Sequence, residues 1–402
     1  MNFDQDGMRT RARLTARNFA DGDILHIEIE AGCIHRIIRE PSENDAAFPW
    51  IAPGLIDNQV NGFASIDFGK PDLTPADLLR ATEALRTKGI TTFVPTIITN
   101  SHERLLASFK ALGSALKQPD VNRSVPGFHL EGPYISPEKG YRGAHQPEHI
   151  RHPDWDEFRR LNDAAEGRII QVTLAPELPG APEFIQRCAE AGIVVGLAHH
   201  HANREQIRTA IDHGAKISTH LGNGCANQIH RHHNVLWHQL DADELRASII
   251  VDGVHNPPEV IRAFYKLKTP QRLILTSDAV LFAGMPPGKY DWDGRAIEVT
   301  PDGIVMFAEG DSFAGSASSL DSGISNLMHF TSCSLREAIQ MASTNPATLL
   351  NLNDRGHIRV GKRADLILFN FEKGRLEVIQ TLVAGKNVYK NVDSKPAFRE
   401  NE

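Results

Sequence analysis

Histidine is the commonest protein metal ligand and the side chain that most readily handles protons near neutral pH. The chain carries 19 histidines in 402 residues, and ten of them fall between His199 and His255. Of these, His230, His232, His233 and His238 read as surface residues about as well as chemical ones. The polar ends of eight short apolar runs are more telling. They supply Asp57 and Gln59, then Thr96, Glu131, Glu177, His199, His220, His255 and Asp278. One acid, two or three imidazoles and a second acid aimed at one mouth could hold a divalent cation. Carboxylate oxygen and imidazole nitrogen, at about 2.0–2.2 Å, suit Zn²⁺, with Fe²⁺ and Co²⁺ nearly as good. Three protein ligands with room for a water is the open arrangement of a catalytic metal site.

Something must aim those side chains at one point. The runs begin at Trp50 (WIAPGLID), Ile90 (ITTFVPTIIT), Pro126 (PGFHLEGP), Ile169 (IIQVTLAPE), Ile193 (IVVGLAHHH), Ala215 (AKISTHL), Ser248 (SIIVDGVH) and Arg272 (RLILTSDA). Most are continuously apolar, as strands buried on both faces of a parallel sheet are. Between them lie helical segments such as TPADLLRATEALRTKG, APEFIQRCAEAG and NREQIRTAIDHG, with apolar residues recurring at three and four. Gly89, Gly192 and Gly214 stop three of them. Eight strand–helix units predict an α/β fold, a (β/α)8 TIM-type barrel whose chemistry gathers at the C-terminal ends of the strands. A doubly wound open sheet is the alternative.

The two ends of the chain read differently. ILHIEIEAGCIHRIIRE near the start, and RADLILFNF and LEVIQTLVAGKNVYK near the finish, alternate as half-buried antiparallel strands do. They predict a small β-sandwich domain built from both termini, residues 1–52 and 355–402, beside a barrel domain, 53–354, that would carry the metal site. The stretch from about 286 to 314 reads as a β-hairpin insertion after the eighth strand, and 316–331 and 334–350 as helices.

Composition closes off other classes. Hydrophobic residues are 41% and charged residues 23%, ordinary for a globular protein. The net charge of −7 offers no bulk attraction to nucleic acid or to a membrane surface. Apolar runs fall far short of the ~20 residues of a membrane span. The polar N-terminus lacks the apolar core of a signal peptide. Four cysteines, Cys33, Cys188, Cys225 and Cys333, are widely spaced and form no CxxC pair, so a cytoplasmic protein is expected. No GxSxG nucleophile elbow is present.

In order and spacing, APGLIDNQVNG, HLEGPYISPEKG, GLAHHHAN, STHLGNGC, DGVH, TSDA and AGSASSLDSGISNLM resemble the N-acetylglucosamine-6-phosphate deacetylases of the amidohydrolase superfamily. The later ASTNPATLLNL and GHIRVGKRADLILFN resemble the superfamily's C-terminal block. The resemblance spans essentially the whole chain. It implies hydrolysis of a linear amide C–N bond. The substrate would be an N-acetylated amino sugar, foremost N-acetylglucosamine 6-phosphate, yielding acetate and the amino sugar. It implies Glu131, His199 and His220 as ligands of one divalent metal, zinc first and iron or cobalt as alternatives. Asp278 would be the general base and acid, and His145 the group on the acetyl carbonyl. Gln59, Asn223, Gly224, Arg231 and His255 would contact the substrate, with Arg231 on the phosphate. Many amidohydrolases carry HxH where this chain has Gln59 and Asn61; neutral amides are poor ligands, hence one metal and not two. A homodimer is expected.

Other readings remain open at this level. His201 competes with His199 as the ligand. His200 should point away from it, because successive strand side chains alternate faces. His129 reads as a packing or supporting residue, and Asp57 as one that orients a loop. NQIHRHHNVLWHQL around Arg231 is unusual. His232 and His233 could assist on a phosphate, and Trp237 could stack on an unphosphorylated sugar. The substrate could be an unphosphorylated or epimeric N-acetylhexosamine, or the chain another amidohydrolase such as a D-aminoacylase. A non-catalytic barrel scaffold is disfavoured by the full set of candidate ligands.

Overall fold

The structure is a computed structural model that describes residues 11–41, 48–292, 294–300, 304–308, 313–391 and 398–400. Eight parallel strands carry the centre of the chain: β1 (Leu55–Val60), β2 (Ile90–Ile98), β3 (Phe128–Glu131), β4 (Ile169–Leu174), β5 (Val194–Leu197), β6 (Ala215–Ser218), β7 (Arg246–Ile249) and β8 (Leu273–Leu275). Each pairs with the next in sequence order. The ring closes just beyond β8. Ala279 bridges in parallel to Val60, and the Asp278 N–H donates to the Gln59 carbonyl at 3.1 Å. This is the (β/α)8 barrel that the strand–helix alternation predicts, and the closure excludes the open doubly wound sheet.

The strands form because their residues suit burial on both faces. β2, ITTFVPTII, is β-branched or apolar almost throughout and buried along eight of its nine residues. The intervening helices carry their own boundary signals. Helix Pro75–Arg86 opens on a Thr74–Asp77 capping box with proline in its first turn. It buries Leu78, Ala81 and Leu85 and is followed by Gly89 at φ 76°. Inside the barrel, Ile56, Val94, Val194, Ile217 and Ile274 pack with Ala347, Leu349 and Leu350. This apolar plug seals the N-terminal ends of the strands and leaves the C-terminal ends for polar side chains.

Both termini join one further eight-stranded sheet: Arg11–Asn18, Ile24–Glu30, Cys33–Glu40, Trp50–Pro53, Leu366–Glu372, Arg375–Val383, Lys386–Lys390 and Phe398–Glu400. It closes over its own core, including Leu14, Ile27, Ile34, Ile51, Leu366 and Leu368, as the small β-sandwich. Three details differ from the sequence reading. WIAPGLID is two strands, because Trp50–Pro53 pairs with the terminal sheet before Gly54 turns the chain into β1. A β-carbon on Gly54 would lie 2.2 Å from Thr91 Oγ1, so the crossing needs glycine. The region after β8 is not one hairpin but a four-stranded antiparallel sheet, Gly288–Trp292, Arg295–Val299, Ile304–Phe307 and Phe313–Ser316. The helix expected over 334–350 is two, Leu335–Ala342 and Thr344–Leu349, broken at Ser343 with φ −140°.

Candidate active site

Glu131 ends β3, while His199 and His220 follow β5 and β6 by two residues each. All three are buried. Glu131 Oε1 lies 2.8 Å from His220 Nε2 and 3.3 Å from His199 Nε2, and the two imidazole rings are 5.0 Å apart. Among the described residues, these form the one group of three or more His, Cys, Asp or Glu whose ligand atoms all lie within 4.8 Å of one another. Burial would push the Glu131 carboxyl up, yet hydrogen bonds to the two imidazoles hold it well below the usual carboxylate range. His220 is the reciprocal case: burial opposes its charge and the Glu131 carboxylate raises its pKa. His199 Nδ1 lies 2.9 Å from the Tyr141 carbonyl. That acceptor fixes the ring proton on Nδ1 and leaves the Nε2 lone pair for a cation. One carboxylate oxygen and two imidazole nitrogens, from three staves, fit a borderline divalent ion.

Asp278, beyond β8, completes the cluster. Asn61 Nδ2 donates to its Oδ1 at 2.7 Å. Gln59 Nε2 donates to the same oxygen and to Glu131 Oε2, both at 3.0 Å. Gln59, near the end of β1, therefore links Glu131 of β3 to Asp278 beyond β8, while Asn61, just past β1, holds Asp278 alone. Burial, then the negative charge of Glu131, raise the Asp278 pKa to about 6, where a carboxylate can exchange protons near neutrality. His199, His220 and Asp278 all hold positive φ, at 51°, 35° and 49°. Non-glycine residues adopt that region at a cost of roughly 1–3 kcal/mol each, and such strain clusters at functional sites.

The remaining candidates are placed as follows. His145 is buried, with Nδ1 2.7 Å from Thr99 Oγ1 and its ring 4.4 Å from that of His199. Burial, then the neighbouring His199, lower its pKa to about 3, so it is neutral. His255 Nδ1 lies 2.6 Å from Asp252 Oδ2, and its ring packs 4.9 Å from that of Phe313. Gly224, at φ +67°, passes so close to His199 that a β-carbon would sit 2.7 Å from Nδ1. Asn223 donates its backbone N–H to the His220 carbonyl, and its buried Nδ2 finds no partner among the described residues. Arg231 is exposed on the loop before helix Val235–Asp241; its carbonyl accepts from Trp237 Nε1 at 3.0 Å. The structure does not join it to the buried cluster.

His201 is not a rival ligand. Its Nδ1 lies 3.0 Å from both Glu177 Oε1 and Ser136 Oγ, outside the barrel mouth group. His200 is buried, and its Nδ1 accepts from Ala202 N at 3.3 Å. Asp57 accepts from Thr276 Oγ1 and from the Ser277 N–H, at 3.1 and 3.2 Å, and so orients the segment leading to Asp278. Sequence reasoning missed Tyr141, Thr99, Asp252, Phe313 and the hydrogen bond from Asn61. Most act from loops or through backbone atoms, which leave no side-chain signature.

The amidohydrolase family model matches residues 50–388. N-acetylglucosamine-6-phosphate deacetylase of Lysinibacillus sphaericus is 31% identical over 366 residues, 91% of each chain. N-acetylgalactosamine-6-phosphate deacetylase of Escherichia coli O157:H7 is 30% identical, over 90% of this chain and 94% of that one. A variant of the Mycobacterium smegmatis N-acetyl-D-glucosamine-6-phosphate deacetylase, solved with N-acetyl-D-glucosamine-6-phosphate, superposes with a TM-score of 0.84 at 30% identity. It covers 95% of this chain and 100% of that one.

The chain belongs to the N-acetylglucosamine-6-phosphate deacetylase family of amidohydrolases. The relatives span nearly its whole length, so both the barrel and the terminal sheet are shared features of this deacetylase family. Among the described residues, no helix is long and apolar enough to cross a membrane.

Proposed function

We propose that this chain hydrolyses the acetamide of N-acetylglucosamine 6-phosphate to acetate and the amino sugar phosphate. The observation that carries the reading is the convergence of Glu131, His199 and His220 within 4.8 Å, beside Asp278, in a chain alike over about nine-tenths of its length to deacetylases of that name. In this reading Glu131, His199 and His220 hold one Zn²⁺. Such a cation supplies Lewis acidity and brings the pKa of water down to about 7. Gln59 and Asn61 stand where further imidazoles would be needed for a second ion, and both spend their amide protons on the carboxylates.

Asp278 takes a proton from the attacking water and returns it to the departing nitrogen, because an amide nitrogen cannot leave as an anion. A carboxylate near pKa 6 serves both steps and contributes about 10²–10⁴-fold. Neutral His145, with the Thr99 hydroxyl on Nδ1, donates from Nε2 to the acetyl oxygen as negative charge builds there. His255, steadied by Asp252, contacts the sugar, with Asn223 and the Gly224 backbone beside it. Arg231 meets the phosphate from its exposed loop, as an arginine fork suits. The protein works as a cytoplasmic homodimer, with residues 1–52 and 355–402 forming the small domain and 53–354 the catalytic one.

The Escherichia coli relative named for the galacto epimer is 30% identical, as is the Bacillus subtilis gluco enzyme, so N-acetylgalactosamine 6-phosphate is the second substrate to test. Acetate release from N-acetylglucosamine, N-acetylgalactosamine and their 6-phosphates decides the matter. The gluco 6-phosphate should turn over fastest. A preference for unphosphorylated sugars would overturn the role of Arg231, and release from none of them would overturn the deacetylase reading.

A further inference from the structure

Between the apolar plug and the candidate metal centre lies a layer of buried polar side chains that the proposed mechanism does not use. Thr96 on β2, His129 on β3, Thr173 on β4 and Thr219 after β6 are all buried. His129 Nδ1 lies 3.2 Å from Thr96 Oγ1, and its Nε2 lies 2.8 Å from Thr173 Oγ1. Thr173 Oγ1 lies 3.0 Å from Thr219 Oγ1, and Thr96 Oγ1 accepts from the Val60 N–H at 3.2 Å. The result is one continuous hydrogen-bonded belt across the barrel interior. Both His129 nitrogens are paired in either tautomer, because hydroxyls can donate or accept.

The belt must cross β5 to reach Thr219, and β5 presents Gly196 there. A β-carbon at that position would lie 2.3 Å from Thr219 Oγ1 and 2.8 Å from Thr173 Oγ1. Glycine thus leaves the space that the Thr173–Thr219 hydrogen bond occupies. Two belt residues, and Val60 whose N–H donates to Thr96, also lie next to or near site residues along the chain. Val60 follows Gln59, His129 precedes Glu131 by two on the same strand face, and Thr219 precedes His220. His220 is one of the residues held at positive φ, 35°, a conformation that persists only where the surroundings impose it. Its own N–H donates to Ser248 Oγ at 2.8 Å, and the belt anchors the residue before it.

We infer that the Thr96–His129–Thr173–Thr219 belt is a positioning device, holding Glu131 and His220 in register to share one cation. The inference rests on the metal-dependent reading above. It differs from a purely structural role because apolar residues of equal volume could fill this layer without hydrogen bonds.

The test compares Thr173→Val, which removes the central hydroxyl at nearly constant volume, with Thr173→Ser, which keeps it. Direct partners of metal-binding histidines are typically worth about 10–100-fold in metal affinity. Acting through the backbone next to the ligands, Thr173→Val should weaken Zn²⁺ binding about tenfold in competition with a chromogenic chelator. It should also lower kcat about tenfold with KM unchanged, while Thr173→Ser stays near wild type. Thr219→Val removes the far end of the belt and is read the same way should Thr173→Val not fold. Zinc affinity and kcat equal to wild type in the valine variants would overturn the belt's role, whatever their melting temperatures. A wild-type protein that binds no zinc and releases no acetate would instead overturn the reading beneath it.

Discussion

Asp278 owes its usefulness to where it is buried. A solvated aspartate near pKa 3.9 is too weak a base to draw a proton from water. Burial and the charge of Glu131 bring this one to about 6, while Asn61 and Gln59 hold Oδ1 and leave Oδ2 for the reaction. Asp278→Asn keeps the shape but cannot take the proton. Its acetate release should fall by about 10²–10⁴-fold, while zinc content by atomic absorption stays near that of the wild type. Loss of metal along with activity would mean that Asp278 acts as a ligand and not a base. Asp57 gives a second prediction, on stability. Burial raises its pKa to about 6 against ~3.9 in an unfolded chain. The folded state therefore binds the proton more tightly. The stability this lends is fully present below about pH 4 and is lost as pH rises through about 6, amounting to about 3 kcal/mol. Asp57→Asn has no such charge to bury. In urea titrations of the metal-free protein, the variant should gain on wild type between pH 4 and pH 8. An unchanging difference would refute the buried charge.

The elements matter through the close approaches they enforce. Gly224 lies against the His199 ring at φ +67°, where a methyl group would stand 2.7 Å from Nδ1. That nitrogen faces the Tyr141 carbonyl, so Gly224→Ala should both strain its own backbone and push His199 off its hydrogen bond. Zinc affinity should fall at least tenfold, read by chelator competition, and unchanged affinity would show that the loop yields freely. The sequence made part of this legible. Glu131, His199, His220 and Asp278 stand out because apolar strand runs end in polar residues, and a barrel aims such ends at one mouth. Thr99, Tyr141 and Asp252 do not stand out, since they act from turns and, for Tyr141, through a carbonyl that every residue owns. Phe313 does not stand out because it opens the fourth strand of a sheet that sequence alone reads as a hairpin. His201, a lesser rival to His199 in the sequence, is sent by the chain geometry past β5 to Glu177 and Ser136.

At the scale of the molecule, strand order and burial pattern were readable because a parallel barrel needs eight apolar staves and a helix between each pair. The break at Gly54 is harder to read, since WIAPGLID runs on as one strand-like stretch although its first half pairs with the terminal sheet. One ion tying three staves together should also stabilise the whole barrel by mass action. Chelation should lower the melting temperature, and added Zn²⁺ should restore it. A melting temperature indifferent to metal would mean that the staves do not share an ion. The most direct test is anomalous X-ray scattering from zinc-loaded crystals. A single strong peak bonded to Glu131 and to the Nε2 atoms of His199 and His220, with Asp278 beside it, is the predicted result. A peak elsewhere, or none at this position in fully loaded protein, would contradict it.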